Sequence, residues 1–456
     1  MSESQQKLNL CKTSSLLDEL TSIYNEAINI KFTSSEINLV DALISPDTNL
    51  KANAAFKVLE LGKKIKELIV EDSRFLGSNV RMINSNNGGC GFYPYFVGEP
   101  LIQRALETNS PEAAIEWLQK VLNTKAATGK TIQALWGITV QQEIQLTTDV
   151  KIVPIDDLPD SQNKQWLVGL SNYQTSNDPI TTAFDYQSPK SALVMDNRIE
   201  PFTYDPEAQQ NSNSEDFLKT NELLQEIILA LTVVGPRVAI SIAQWFTFDD
   251  PDLEASRIIS GRMGCFLEIM PSLSDDYPIL DSIESKKIVQ AYIALPRNTK
   301  DKVRVALQRL NQALRRHNIG DRAVELSTAF EALLGDNGNT EMTHKIKVRS
   351  VRLLGGNEEK RKMNSAVIKE ACSIRSKLVH TGHVNVNKTK TICGKLMTVS
   401  DIIDYTSIMC VDLIKIIILK GSIPDWEIFD ITEHSFGIFK LIEYKSVYLT
   451  THKQGS

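Results

Sequence analysis

The chain has 456 residues, enough for two or three domains and a substantial core. Its 42% hydrophobic and 23% charged content is that of a soluble globular protein, which sets aside disordered and fibrous classes. The net charge of −6 hides an asymmetry: Ser285 to Lys420 holds 25 Lys/Arg and 12 Asp/Glu, and the remainder holds 25 and 44. A basic C-terminal block suits a polyanionic ligand; the bland alternative is that its cations merely solvate helix faces.

No apolar run is long enough to span a bilayer. Ile227 to Val234 and Leu413 to Leu419 read as buried helix faces, so no membrane partner is expected. Met1 to Leu10 is polar and lacks the apolar core of a secretory signal. Cys11, Cys90, Cys265, Cys372, Cys393 and Cys410 form no Cys-x-x-Cys pair. Neither a disulfide framework nor structural zinc is expected, and a reducing cytoplasm is.

In chain order, Ser14 to Ala27 and Ala52 to Val70 are helical in pattern, the second with Leu59, Ile65 and Leu68 among lysines. Asn84 to Gly91 is turn-rich and precedes Phe92, Tyr93, Tyr95 and Phe96, a hairpin or packed loop rather than a ligand cradle. Pro111 to Leu122 is a short helix capped by Ser110. Thr128-Gly129-Lys130-Thr131 ends like a phosphate loop, but position 124 is Thr124 where the partner glycine belongs, so that reading is rejected. Ile144 to Ile155 alternates like a strand pair, and Ala192 to Met195 is another strand. Asp205 to Asp216 reads as a flexible loop or linker, Phe217 to Val234 as an apolar helix and Ala239 to Phe248 as β-rich. This half offers no catalytic constellation.

From Ile283 the pattern is helix after helix. Val303 to Arg316 stops before Gly320, Asp321 to Leu334 is capped by Asp321 and ends at Gly335, and Met342 to Leu354 ends at Gly355-Gly356. Glu358 to Thr381 follows, then Ser400 to Leu419 capped by Ser400, then Pro424-Asp425-Trp426. These segments make a bundle of four or five helices.

The most informative stretch is Glu370 to His383, at the end of the fourth helix. Met363, Val367, Ala371, Ile374 and Leu378 form one apolar stripe, and Gly382 is placed to take the left-handed conformation past the helix. Off the stripe sit Arg375 and His380, five residues apart. A permanent guanidinium and an imidazole that titrates near neutral pH are a minimal kit for attacking a phosphodiester. The alternative is a surface arginine and a histidine that favours the negative end of the helix. At roughly 100° per residue the two point about 140° apart, so one chain does not aim both at one phosphate.

The bundle resembles a HEPN domain, most closely the ApeA-like HEPN proteins of antiphage defence. The resemblance rests on Asp321 to Gly335, with its acidic residue Glu331, on a second basic helix, on Ile374 to Gly382 with its Arg-x4-His spacing, and on Pro424-Asp425-Trp426. It implies a metal-independent endoribonuclease of abortive infection, acting as a homodimer through the bundle and cutting RNA, tRNA or mRNA among the candidates, with no cofactor. Arg375 and His380 would be catalytic, with Ser376, Lys377, His383 and Glu331 as substrate-binding or supporting residues. Many active members carry Asn, Asp or His directly after the arginine, where this chain has Ser376.

The expected fold is therefore α+β: a mixed sensor or regulatory region over 1–215, where a phage-derived trigger would bind, a connection over 216–282, a HEPN bundle over 283–430 and a tail over 431–456. The alternative function is a non-catalytic HEPN module that binds RNA or a protein partner. A nucleotide-binding or purely structural protein is the third class.

Overall fold

A computed structural model describes residues 10–29, 60–61, 63, 81–83, 90–92, 98–123, 127–169, 188–199, 201–203, 212–255, 262–263, 278–336, 341–382, 385 and 388–432. The chain is α+β and divides into two units, the first comprising Met1–Trp136, Val140–Leu224 and Ser241–Cys265, the second Gly137–Thr139, Gln225–Ile240 and Phe266–Ser456.

In the first unit, helices α1 (Leu10–Asn29), α2 (Gly98–Thr108) and α3 (Pro111–Asn123) bury Leu16, Leu20, Leu101, Ala105, Trp117 and Leu118 in one core with Phe246 and Phe248. Ser110 caps α3 as expected, its hydroxyl accepting from the Ala113 N–H at 3.2 Å. Strands β1 (Arg81–Ile83) and β2 (Cys90–Phe92) pair antiparallel, and residues 84–89 of the turn-rich stretch lie outside the described residues. Tyr93, Tyr95 and Phe96 lie outside the described residues, as does most of the Ala52 to Val70 segment, of which 60, 61 and 63 are helical.

The main sheet comprises β3 (Ala127–Trp136), β4 (Ile144–Gln145), β5 (Val150–Pro154), β6 (Ser191–Ile199), β8 (Ile240–Phe248) and β9 (Arg262–Met263), in the order β4-β5-β6-β3-β8-β9. Between β5 and β6 runs helix α4 (Gln162–Gly169), while β7 (Pro201–Thr203) joins β1 in the smaller sheet. The strands foreseen at 144–155 and 192–195 are β4, β5 and β6. The segment Thr128 to Thr131 lies inside β3, with the Lys130 ammonium on Asp249. Gly129 has a packing reason: a Cβ there would collide with the Phe246 ring and the Thr247 carbonyl.

Helix α5 (Ser212–Leu231) starts five residues before Phe217, so the end of the expected linker is helical, and it stops before Val234 in a turn. Asp205 to Asn211 lies outside the described residues. A short α6 (Pro251–Ala255) follows β8.

The second unit is the helical bundle: α7 (Ser282–Ile293), α8 (Arg297–Arg315), α9 (Ile319–Leu334), α10 (Met342–Leu354), α11 (Glu358–Thr381), α12 (Val399–Lys420) and α13 (Trp426–Ile431). Helix α12 is the hub, packing against α7, α8, α9, α10 and α11. Its sequence is apolar nearly all round, with Ile402, Ile403, Met409, Val411, Leu413, Ile414 and Ile417 buried, as a central helix requires.

Two caps differ from expectation. Asn318, not Asp321, caps α9 by accepting from the N–H groups of Gly320 and Asp321. Thr398, not Ser400, caps α12 in a reciprocal capping box with Asp401. Helix α8 also begins at Arg297, six residues before Val303, behind Pro296. Between α11 and α12 stands a hairpin not foreseen, β10 (Thr389–Ile392) and β11 (Lys395–Thr398). Its two-residue turn puts both Cys393 (φ 48°) and Gly394 (φ 78°) in the left-handed region, the geometry a tight hairpin favours.

One side of α12 carries polar groups into the bundle. The buried Lys415 ammonium meets a Glu284 carboxylate oxygen at 2.6 Å, and the Tyr405 hydroxyl donates to Asn364 Oδ1 at 3.0 Å. Burial pushes the Asp412 carboxyl above the ordinary aspartate range; Lys415 and Lys360 oppose the shift and Glu284 adds to it. A carboxyl raised on folding binds its proton more tightly in the native state, so stability falls as pH climbs from the ordinary range through the folded value. Asp412→Asn is expected to raise the melting temperature at neutral pH. That gain should disappear once the pH drops below the ordinary aspartate range, a crossing that thermal unfolding at two pH values would detect.

Candidate active site

Helix α11 holds the Arg-x4-His pair on a rigid support. Asn357 caps its start by accepting from the Lys360 N–H at 2.9 Å. Gly382 ends it at φ 66°, donating its N–H to the Leu378 carbonyl at 2.8 Å, the left-handed stop expected from the sequence. Val367 and Ile374 of the apolar stripe are buried, while Met363, Ala371 and Leu378 are half-buried. Leu378 packs on Gly320 at the start of α9, which anchors the last turn.

Arg375 leaves the preceding turn on the side of α9. Its side chain is 44% exposed, with Nη2 3.8 Å from Oε1 of Glu331. That same oxygen accepts from the Ser327 hydroxyl at 3.1 Å, one helical turn earlier. Ser327 stands four residues before Glu331, an i,i+4 relation that is legible in the sequence. One turn before Arg375, Cys372 is half-buried. Its thiol is pushed up first by burial and then by Glu331, while Arg375 and a hydrogen bond with Thr343 pull the other way.

His380 is exposed in the last turn, and Ser376 and Lys377 beside it are exposed as well. Val379 lies in the arc between Arg375 and His380 and is 60% exposed. Thr381 closes the helix by donating its hydroxyl to the Lys377 carbonyl at 2.7 Å. His383 lies outside the described residues. The fold thus brings Glu331 to Arg375, and it sets His380 on a different side of the same helix end. A cavity of about 20 Å³, room for about one water, opens nearby among Ala323, Ser327, Phe330, Ile368, Cys372 and Thr406; neither Arg375 nor His380 lines it.

Among the described residues, no group of three or more His, Cys, Asp or Glu side chains is placed to hold a metal ion. No described helix is long and apolar enough to cross a membrane. No family model, curated protein or solved structure matches the chain.

Proposed function

We propose that the bundle is a HEPN-like endoribonuclease that acts as a homodimer without a metal, an effector of antiphage abortive infection whose N-terminal region answers a phage-derived trigger. The observation that carries this reading is the placement of Arg375 and His380: both reach solvent from the last turns of one well-anchored helix, with an exposed valine between them.

RNA brings its own nucleophile. His380 takes the 2′-hydroxyl proton or protonates the leaving 5′-oxygen, since an imidazole can do either near neutral pH. Arg375, directed by Glu331, neutralises the charge that gathers on the phosphoryl oxygens. The products are a 2′,3′-cyclic phosphate and a 5′-hydroxyl. Because the two groups diverge by about 140°, a second copy packed on Val379 supplies the complementary group across a shared cleft. Lys377, Ser376 and His383 contact the RNA backbone or support the site.

The second reading is a non-catalytic HEPN module that binds RNA or a partner. Ser376 after the arginine favours it, as does a motif that sits on an open surface rather than in the nearby cavity. Incubating the full chain with RNA in excess EDTA separates the readings. Cleavage is expected to persist, because the arginine provides the positive charge that a metal would otherwise supply. Loss of cutting in EDTA and its return with magnesium would refute the mechanism.

A further inference from the structure

Helix α8 carries more cations than its own stability calls for. Arg297, Lys300, Lys302, Arg304, Arg309 and Arg315 lie on it, Arg316 directly follows, and Asp301 is its single acidic residue. Val303, Ala306, Leu307, Leu310, Asn311 and Ala313 turn inward, and Lys300 leans inward with them over the Tyr292 ring, whereas Arg297, Lys302, Arg304, Arg309 and Arg315 spread over the remaining arc with Gln308 and Gln312. Part of the charge is answered within the bundle. Arg304 reaches Asp301 at 3.1 Å, Arg309 and Arg316 converge on Glu325 at 3.1 and 3.2 Å, and Lys300 meets Glu226 at 3.1 Å. Arg297 and Lys302 are exposed. Cations in the first turns oppose the helix dipole, so a purely stabilising role would have placed them at the other end.

We propose that this face of α8 is a track for the phosphate backbone of single-stranded RNA, leading it to the end of α11. The inference rests on the endoribonuclease reading for its destination. The continuity is in the fold: Gly320, at the start of α9, lies against both Leu378 methyls, so the turn joining α8 to α9 sits beside the last turn of α11. From Arg297 to Arg315 the helix rises about 27 Å, the length of about eight stacked nucleotides. Arginine outnumbers lysine on the track, and its planar fork suits phosphate oxygens. Val305 is the exposed apolar side chain on this face, too little to insert into a lipid surface. No aromatic residue lies along α8 for bases to stack on, so binding there is to the backbone and independent of sequence.

The test uses the full chain carrying His380→Ala, so that RNA survives, and a labelled single-stranded RNA followed by fluorescence anisotropy across a salt series. In that background Arg297→Gln, Lys302→Gln, Arg304→Gln and Arg315→Gln combined are expected to weaken binding at least about tenfold near 0.1 M salt. The log–log salt slope should become shallower by about 2 to 3, from about 0.7 per lost phosphate contact. The pair Arg297→Gln/Lys302→Gln, at exposed positions, should give about half that change and keeps the test sound if the fourfold variant folds poorly by circular dichroism. A charge-matched control, Lys286→Gln, Lys287→Gln, Arg361→Gln and Lys362→Gln, should leave the slope unchanged. Equal weakening by control and track variants, or an unaltered slope in folded track variants, would overturn the track. A His380-intact chain that binds through α8 and never cuts would instead sink the nuclease reading and leave the track standing.

Discussion

RNA cleavage by the chain is expected to fall by about a thousandfold or more on His380→Ala, and by at least about a hundredfold on Arg375→Ala, with folding nearly untouched. These are the effects of removing a general acid–base group and a charge-stabilising donor set. Both side chains are exposed and neither belongs to the apolar stripe, so neither truncation opens a cavity. The melting temperature should move by no more than about 2 °C, because the 3.8 Å contact of Arg375 with Glu331 is an exposed ion pair of small worth. Arg375→Lys should fail as well, since an ammonium keeps the charge but loses the paired donors that fit a phosphate. The divergence of the two groups adds a sharper expectation. Mixing an Arg375→Ala chain with a His380→Ala chain should restore part of the activity, because the mixed dimer rebuilds one site from an arginine of one chain and a histidine of the other. A folded, dimeric His380→Ala protein that cuts RNA at the wild-type rate would hand the bundle to the non-catalytic reading.

The largest expected loss of stability comes from Arg349, which ties α13 to the rest of the bundle. Its side chain is 2% exposed. It donates to the Leu334 carbonyl at 2.5 Å, to Asp336 at 2.8 Å and to both oxygens of Asp430, the shortest at 2.6 Å, while its guanidinium lies 4.9 Å from the Trp426 ring centroid. Burial works against the charge, and Asp430 and Asp336 more than offset it, so the arginine pKa is raised. A second arginine supports the same helix: Arg352 lies over the Phe429 ring and donates to the Thr432 carbonyl. Arg349→Ala leaves the Leu334 carbonyl and two carboxylates without their cation, a loss of up to about 3 kcal/mol, since the carboxylates are 31% and 35% exposed and water meets part of their charge. The bundle should melt about 10 °C lower, and the α13 amides should exchange with solvent before the rest of the bundle opens. Asp430→Ala should cost less, because Asp336 remains to meet the charge. An Arg349→Ala protein with unchanged melting and unchanged α13 exchange would show that this network adds no net stability.

Neither expectation about α13 was open to sequence reading. Arg349 and Asp430 stand 81 positions apart, and Arg349 looks like any basic residue on an amphipathic helix. Burial and partners separate it from Arg361, an exposed arginine on the next helix, and those exist only once α10 and α13 are packed. The same holds for Glu331 and Arg375, whose proximity depends on how α9 and α11 cross.

What the sequence determined by itself was whatever local chemistry decides. The bounds of α10 and α11 follow from apolar periodicity ended by Gly355 and Gly382, which reach positive φ without the penalty a side chain would bring. Strands β4, β5 and β6 follow from alternation. The divergence of Arg375 and His380 follows from helical pitch alone. Tertiary structure decided the rest. Near the starts of α9 and α12 more than one capping side chain stands within three residues, and the path of the incoming chain, not composition, selects Asn318 and Thr398. The β10–β11 hairpin has four-residue strands, too short for a clear period, and it forms where Ile392 and Met397 find a buried face. The packing of α9 against α11 fixes which side of the motif helix is covered, and so leaves Val379 and His380 exposed at the same helix end. A pattern along one helix specifies that a face is apolar, whereas the neighbours that cover it are supplied by segments far away in the chain.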